Sequence, residues 1–383
     1  MLKVMTILGT RPEIIRLSRT IPKMDATFRH VLVHTGQNYD PALNEVFFRD
    51  FGLRAPDHFL GVAGRSLGAS LGAIMTESER VLLAERPDAV LILGDTNSAM
   101  SAIVARRMKI PVYHVEAGNR SFDRNVPEET NRKVVDHVSD FNLVYTEHAR
   151  RNLLAEGFPA RRIYLVGSPL REVLDFFSER IDGSRIIERL GLEPGRYLLV
   201  SLHREENVDH RERFSVLLET LGYLQRAHGV PVIVSTHPRT RNRMEKMPVG
   251  SGSDEVRFLP PFAFFDYIQL QRNALCTVSD SGTVSEEAGI LSFPAVTPRD
   301  SIERPEGLDA ACVVATGVNA DSIVEGVDFA IRLNAARTRG GSSVTMPVEY
   351  RIADTSDRIL GLITSTARVS NSWDNIRTND LSL

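Results

Sequence analysis

Cysteine is nearly absent from this 383-residue chain; there are two, Cys276 and Cys312, each among apolar neighbours (ALCTV and AACVV). Lone thiols in such runs read as small core residues. Neither belongs to a CxxC or His/Cys spacing that would hold zinc. An excess of one charge is missing too. The net charge is −3, so the basic footprint of a nucleic-acid or membrane-surface protein is not there. Long apolar runs are also lacking. Stretches such as Ala89–Leu93 fall far short of the ~20 residues that cross a bilayer. Arg11 comes too early to leave room for a signal-peptide core. These absences point to a reduced, cytoplasmic enzyme that needs no metal or redox cofactor and binds neither nucleic acid nor membrane.

What is present is ordinary in bulk and unusual in arrangement. Apolar residues make up 42% and charged residues 25%, as in a typical globular protein. The length suggests two domains. Leu2–Leu8 is a short apolar run of the kind buried on both faces of a parallel sheet. It breaks at Gly9-Thr10, and Pro12 and Glu13 then suit a helix start. Strand, glycine turn, helix is where α/β proteins hold phosphate, although this turn is neither GxGxxG nor a Walker sequence. Arg11, and Arg16 one turn later, can face the same anion. Arg86–Leu93 is a further buried strand ending at Gly94-Asp95, and Ile110–Val115 another that delivers Glu116. A helix cap is the plainer reading of Asp95. Consecutive parallel strands are usually neighbours, so Asp95 and Glu116 are expected to share one site. The stretch from Tyr113 to Arg132 (YHVEAGNRSFDRNVPEETNR) carries more charge than a fold needs where a strand leaves its sheet, with Arg120, Asp123 and Glu128 besides Glu116.

The pattern pauses at Gly167-Ser168-Pro169 and then repeats. Strands at Tyr197–Ser201, Val230–Ser235 and Ala274–Ser279 end in His203-Arg204, Thr236-His237 and Asp280-Ser281-Gly282-Thr283. Ser281, Gly282 and Thr283 at a helix start suit a diphosphate. Glu287, further along, suits two ribose hydroxyls; its plainer reading is helix-dipole complementation. His203, Arg204 and His237 add donors. The fold class is therefore α/β with two Rossmann-like domains whose parallel sheets face a central cleft. Residues 1–169, joined by the tail 367–383 with Trp373, form one domain, and residues 170–366 form the other. Nucleotide diphosphate on one side and carboxylates (Asp95, Glu116, Glu128 and Asp123) on the other suit chemistry at a sugar C1–C2 bond. A hydrogen on C2 is too weak an acid to leave early. It can leave once the C1–O bond is largely broken and the ring is oxocarbenium-like.

GTRPEIIR (9–16), GDTNSA (94–99), HVEAGNR (114–120), PEETNR (127–132), HREEN (203–207), DSGTVSEEA (280–288) and RDSIERPEG (299–307) resemble the non-hydrolysing UDP-N-acetylglucosamine 2-epimerases, in order and over nearly the whole chain. The resemblance implies a GT-B-type fold, a homodimer, and anti elimination of UDP to a 2-acetamidoglycal followed by re-addition. It implies Asp95, Glu116, Glu128 and His203 as catalytic groups. Arg11, Arg16, Gln37, Arg120, Arg204, His237, Ser281, Gly282, Thr283, Glu287 and Arg304 become contacts to the UDP-2-acetamido sugar, with Ser281 at phosphate and Glu287 at ribose. Which carboxylate serves which face of C2 stays open.

The departures from the family pattern are specific. Asn119 replaces the leucine of VEAGLR, the segment SFDRNV is short and lacks Pro-Trp before PEE, Arg16 replaces a lysine, and Arg65 stands where a glutamine is common. These features resemble the branch that converts UDP-2-acetamido-2,6-dideoxy-L-talose to UDP-N-acetyl-L-fucosamine for capsule or O-antigen synthesis, with Phe122 as an apolar neighbour for the 6-methyl group. The alternatives are the parent UDP-N-acetylglucosamine/UDP-N-acetylmannosamine epimerase, a hydrolysing epimerase, a GT-B glycosyltransferase, and a non-catalytic sugar-nucleotide sensor.

Overall fold

Each short apolar run that ends in a polar turn forms a parallel strand. In the computed structural model, residues 1–36, 41–62, 64, 66–244, 255–341 and 345–376 are described. The first sheet contains β1 (Lys3–Leu8), β2 (Arg29–His34), β3 (His58–Phe59), β4 (Ala89–Leu93), β5 (Val112–Val115), β6 (Phe141–Val144) and β7 (Ile163–Leu165). Its order is β3-β2-β1-β4-β5-β6-β7. The second contains β8 (Leu198–Ser201), β9 (Val232–Ser235), β10 (Val256–Leu259), β11 (Cys276–Ser279), β12 (Ala295–Thr297) and β13 (Val314–Ala315). Its order is β10-β9-β8-β11-β12-β13. Every described pairing is parallel. Both sheets are the doubly wound Rossmann type, and the chain is of the GT-B-type class.

In each sheet the strand order reverses between the first and fourth strands, β1 beside β4 and β8 beside β11. Ligands bind outside the carboxyl ends of the strands at such a reversal. Those ends are Gly9-Thr10 and Gly94-Asp95 in one sheet, and Leu202-His203 and Asp280-Ser281 in the other. The central strands of the first sheet are buried on both faces. Val4, Leu91 and Tyr113 pack in one cluster, while Met5, Val90 and Val112 pack in another. This is why they read as continuous rather than alternating apolar runs.

The chain divides into Met1–Leu174 together with the chain from Ile352, and Asp175–Arg351. The expected boundaries were 169/170 and 366/367; the structural ones lie later and earlier. Leu170 is buried, and Glu172 accepts from the Ser356 N–H at 2.9 Å and pairs with Lys23 at 2.9 Å. The helix Thr355–Thr366 therefore belongs to the first unit, where Ile359, Leu360 and Ile363 pack with Leu2, Ile21 and Phe28. Tyr113 and Thr366 share a hydroxyl hydrogen bond at 2.7 Å, and Thr20 and Ser356 one at 3.0 Å. An amphipathic helix shows its apolar face in the sequence but not which sheet it covers. Trp373 packs edge-on against Phe141, with the Arg162 guanidinium 5.0 Å from its ring. Among the described residues no helix is long and apolar enough to cross a membrane.

Candidate active site

The rim of the first unit begins at Gly9. A Cβ there would lie 2.1 Å from both Ser98 Oγ and Thr35 Oγ1, so only glycine fits. Thr10 caps the helix Arg11–Leu17. Glu13 reaches back, and its Oε2 accepts from Gly9 N (3.0 Å), Thr10 N (2.7 Å) and the Thr10 hydroxyl (2.7 Å). Its Oε1 accepts from the Thr96 hydroxyl at 3.1 Å. Glu13 is thus more than a complement to the helix dipole, because it ties the turn after β1 to the turn that carries Asp95. Burial pushes its carboxyl up to about 7, against the pull of those hydrogen bonds. A carboxyl raised in the folded state stabilises fully below its unfolded value of 4.5 and loses that contribution as pH rises through about 7. The loss is on the order of 3 kcal/mol. Urea unfolding from about pH 5 to about pH 8 is expected to show that decline in the wild type and a flatter profile in Glu13→Gln.

Arg11 is half-buried with its guanidinium 5.6 Å from the Phe47 ring. It has no acidic partner among the described residues, and burial lowers its pKa. Arg16, next along that helix, is buried against other groups. Its Nη1 donates to the Tyr145 hydroxyl at 3.4 Å, and its Nε lies 3.7 Å from Glu116 Oε2. The Tyr145 hydroxyl in turn donates to Glu116 Oε2 at 3.4 Å. Gln37 and Arg65 lie outside the described residues.

The two strand-end carboxylates are neighbours, as the strand order requires. Leu93 of β4 stands opposite Val115 of β5, and Gly94 N donates to Val115 O at 2.9 Å. Glu116 follows directly with φ +73°, a left-handed conformation that costs a non-glycine residue roughly 1–2 kcal/mol. Asp95 Oδ2 accepts from Arg132 Nη2 (2.5 Å) and Nε (3.1 Å), and the Asp95 carbonyl accepts from Asn131 Nδ2 at 3.0 Å. Arg132 also donates to Glu129 at 2.8 Å, and Glu129 accepts from the N–H (3.0 Å) and hydroxyl (3.1 Å) of Ser121. The helix Pro127–Val138 therefore orients Asp95 and pins the loop before it. Glu128, on the first turn of that helix, is half-buried and makes no hydrogen bond or ion pair with the described residues. Asp123 accepts from the Asn125 N–H at 2.9 Å and its side-chain amide at 2.8 Å, which closes a local turn.

Arg120, expected to contact substrate, is only 1% exposed. Its Nη1 donates to Asp136 and to the Asn119 carbonyl, each at 2.7 Å, while Nε and Nη2 form a two-pronged pair with Glu156 at 2.8 Å. Its donors are consumed in holding the loop. Arg120→Met is expected to lower stability by taking the guanidinium away from both Asp136 and Glu156, read as a drop in the urea midpoint. A substrate contact would instead raise KM at unchanged stability.

In the second unit Asp280 is the buried centre. Its carboxylate accepts from His203 N (3.0 and 3.1 Å), Arg204 N (3.0 Å) and Asn207 Nδ2 (3.1 Å). Burial pushes its carboxyl up, but His203 and these donors outweigh burial and hold it below the usual range. His203 Nδ1 lies 3.1 Å from Asp280 Oδ1, so the ring is held at one nitrogen while 38% of the side chain is exposed. His237 is half-buried with its ring 6.4 Å from that of His203. Arg204 Nε reaches the Asp280 carbonyl at 3.4 Å. A Cβ on Gly282 would lie 3.3 Å from Arg204 Nη2, so the turn passes close under that guanidinium. Ser281 and Thr283 share a hydroxyl hydrogen bond at 3.0 Å. Glu287 is buried and accepts from Thr283 (2.7 Å) and from Gln271 Nε2 (2.6 Å). Arg304 is buried too; it donates to the Gly282 carbonyl at 2.9 Å and pairs with Glu286 at 3.2 Å.

Asp280 was not among the residues expected in the site, although it opens a quoted motif; its signal was its place as the first residue after β11. Asp280→Asn must turn an amide NH2 toward donors, and kcat is expected to fall about tenfold to a hundredfold in turnover assays, with UDP affinity less affected. Among the described residues no group of three or more His, Cys, Asp or Glu side chains is arranged to hold a metal.

Comparison with known proteins adds to this geometry. The family model described as UDP-N-acetylglucosamine 2-epimerase matches residues 22–364. The solved structure of UDP-N-acetylglucosamine 2-epimerase from Rickettsia bellii is similar with a TM-score of 0.89 and 46% identity, over 97% of this chain and 98% of that one. That of the Methanocaldococcus jannaschii UDP-GlcNAc 2-epimerase in complex with UDP-GlcNAc and UDP gives a TM-score of 0.86 at 32% identity, covering 95% of this chain and 100% of that chain. The UDP-2,3-diacetamido-2,3-dideoxy-D-glucuronate 2-epimerase of Pseudomonas aeruginosa is 35% identical over 85% of this chain and 91% of its own length.

Proposed function

The chain belongs to the UDP-N-acetylglucosamine 2-epimerase family, and on that premise we propose that it interconverts UDP-2-acetamido-2,6-dideoxy-L-talose and UDP-N-acetyl-L-fucosamine. Its class is that of the non-hydrolysing UDP-sugar 2-epimerases. The reaction balances without any other reactant. A carboxylate removes the C2 proton as the C1–O bond breaks. The C2–H electron pair becomes the C1–C2 double bond, and UDP leaves with the bonding pair. The 2-acetamidoglycal then takes a proton on the opposite face of C2 while a phosphate oxygen re-attaches at C1.

The observation that carries the reading is the pair of carboxylates at adjacent strand ends, Asp95 after β4 and Glu116 after β5. Glu128 is the third carboxylate, with no partner of its own among the described residues. Arg16 supplies positive charge beside Glu116, and Arg11, likewise without an acidic partner there, adds more from the start of the same helix. In the second unit His203, backed by Asp280, assists departure of the diphosphate. Ser281, Gly282 and Thr283 receive the phosphates with Arg204 and His237, and Glu287 receives the ribose. Arg304 acts through the Gly282 carbonyl. The sugar preference rests on Phe122, 74% exposed with φ 56° in the loop between Glu116 and Glu128. It is an apolar side chain held outward, suited to a methyl where glucose has a hydroxymethyl. Supply of a capsule or O-antigen sugar, a cytoplasmic location and a homodimer complete the proposal.

The second reading is epimerisation of UDP-N-acetylglucosamine, favoured by the names of the relatives from Rickettsia bellii and Methanocaldococcus jannaschii. Proton NMR in deuterium oxide with both nucleotides decides between them, since it reports turnover and exchange at C2 together. Rapid turnover of the D-gluco nucleotide with none of the L-talo nucleotide overturns the proposed substrate. Release of free sugar and UDP in step points to hydrolysis. No exchange at C2 of either points to a binding protein.

A further inference from the structure

His114 lies on β5, two residues before Glu116, and is fully buried. Its Nδ1 is 2.8 Å from Asp136 Oδ1, and its Nε2 is 2.8 Å from the Gly94 carbonyl oxygen. Neither oxygen brings a proton. A carbonyl only accepts, and Asp136 is kept ionised. Its other oxygen accepts from Arg120 Nη1 at 2.7 Å and from the Gly118 N–H at 3.1 Å, the setting of a carboxylate. A neutral imidazole has one donor and one acceptor and satisfies only one of these contacts.

We propose that His114 is a standing imidazolium whose two N–H groups hold the peptides that carry Asp95 and Glu116 in fixed relation. Nε2–H anchors the Gly94 carbonyl, and with it the peptide entering Asp95. Nδ1–H anchors Asp136, which also accepts the Gly118 N–H at 3.1 Å and so holds the chain leaving Glu116. Glu116 (φ 73°) bears the cost of a left-handed backbone, between Gly94 (φ 74°) and Gly118 (φ 79°), which take it freely, so one ring brackets a strained residue. The charged groups around it are consistent with a cation. Asp136 faces it from the helix Pro127–Val138, Arg120 sits behind Asp136, and Glu156, near the end of the helix Glu147–Ala155, neutralises Arg120. β4 contributes only a carbonyl beyond its end, and β6 contributes Asn142, whose amide donates to the Asp136 carbonyl at 3.2 Å. His114 touches no reacting atom in this scheme; it is a positioning residue. Its importance for turnover rests on the roles proposed for Asp95 and Glu116, whereas its protonation and the bracket do not.

Three readouts on the full chain test this. In protein labelled with 15N-histidine, both ring nitrogens of His114 are expected to resonate as N–H donors; a neutral tautomer overturns the imidazolium. In His114→Gln, hydrogen exchange at the Gly94 and Gly118 amides, which donate to the Val115 carbonyl and to Asp136, is expected to quicken by about tenfold or more while β7 stays protected. Unchanged exchange overturns the bracket whatever the substrate proves to be. With a nucleotide that the wild type turns over, His114→Gln is expected to lose about thirtyfold or more in kcat with KM within about twofold, well below its unfolding temperature. A folded variant with wild-type kcat removes the positioning role. A wild type inert toward every UDP-sugar overturns the proposed function instead, and leaves the first two readouts to decide on His114.

Discussion

Asparagine in place of Asp95 is expected to lower kcat by about 10²–10⁴ with little change in UDP affinity or stability. The side chain keeps its shape, and its amide oxygen can still accept from Arg132, which remains paired with Glu129 at 2.8 Å. What disappears is the negative charge at the end of β4. Removing a C2 proton needs a base, and the oxocarbenium-like ring that precedes removal is stabilised by the same charge, so both demands fall on one missing group. UDP contacts are expected from Ser281 and Glu287, in the other unit, and binding measured by calorimetry should therefore survive. Solvent deuterium at C2 is the decisive readout. A variant that still exchanges C2 within about tenfold of the wild-type rate would show that Asp95 serves the fold and not the proton.

Glu116 permits a sharper comparison, because its backbone and side chain make opposite predictions. Its φ of +73° is costly for any residue with a Cβ. Glu116→Gly and Glu116→Gln both discard the carboxylate and its 3.7 Å approach to Arg16, and both are expected to lose about 10²–10⁴ in kcat. They should differ in stability. Glycine takes the left-handed turn freely, and the glycine variant is expected to exceed the glutamine variant by about 1 kcal/mol in urea unfolding. Strain relieved while activity is lost is the signature of a residue kept for chemistry. A glycine variant clearly weaker than the glutamine one, or either variant near wild-type activity, would sink that reading.

How far the sequence reaches can be argued residue by residue. The ends of β1, β4, β5, β8 and β11 were legible because both sheets are parallel and buried, so each strand appears as an unbroken apolar run cut off by glycine or a polar residue. The neighbour relation of Asp95 and Glu116 followed from strand order alone. For Arg120 the motif shows only that it stands near Glu116. What takes up its charge is Asp136, on the next helix, and Glu156, thirty-six positions along the chain. Burial by distant partners leaves no local mark. The same holds for Asp280 and His114, whose partners lie on loops and helices elsewhere in the chain. Glu13 was seen as a favourable charge at a helix start, while its bond to Thr96, eighty-three residues on, required the fold. The domain boundaries shifted for a related reason, since the apolar face of the helix Thr355–Thr366 fits either sheet on pattern alone.

That helix has a bearing on how the molecule assembles. Ile359, Leu360 and Ile363 complete a core whose other members, such as Leu2, Ile21 and Phe28, lie near the beginning of the chain. During synthesis the first sheet emerges early, yet one flank stays uncovered until the whole of the second unit has been made. Such a flank invites aggregation, and a fragment ending near Leu174 is expected to inherit the problem permanently. The enzyme is better regarded as one unit threaded through the completion of another than as two beads in series. Its earliest part is the last to become self-sufficient.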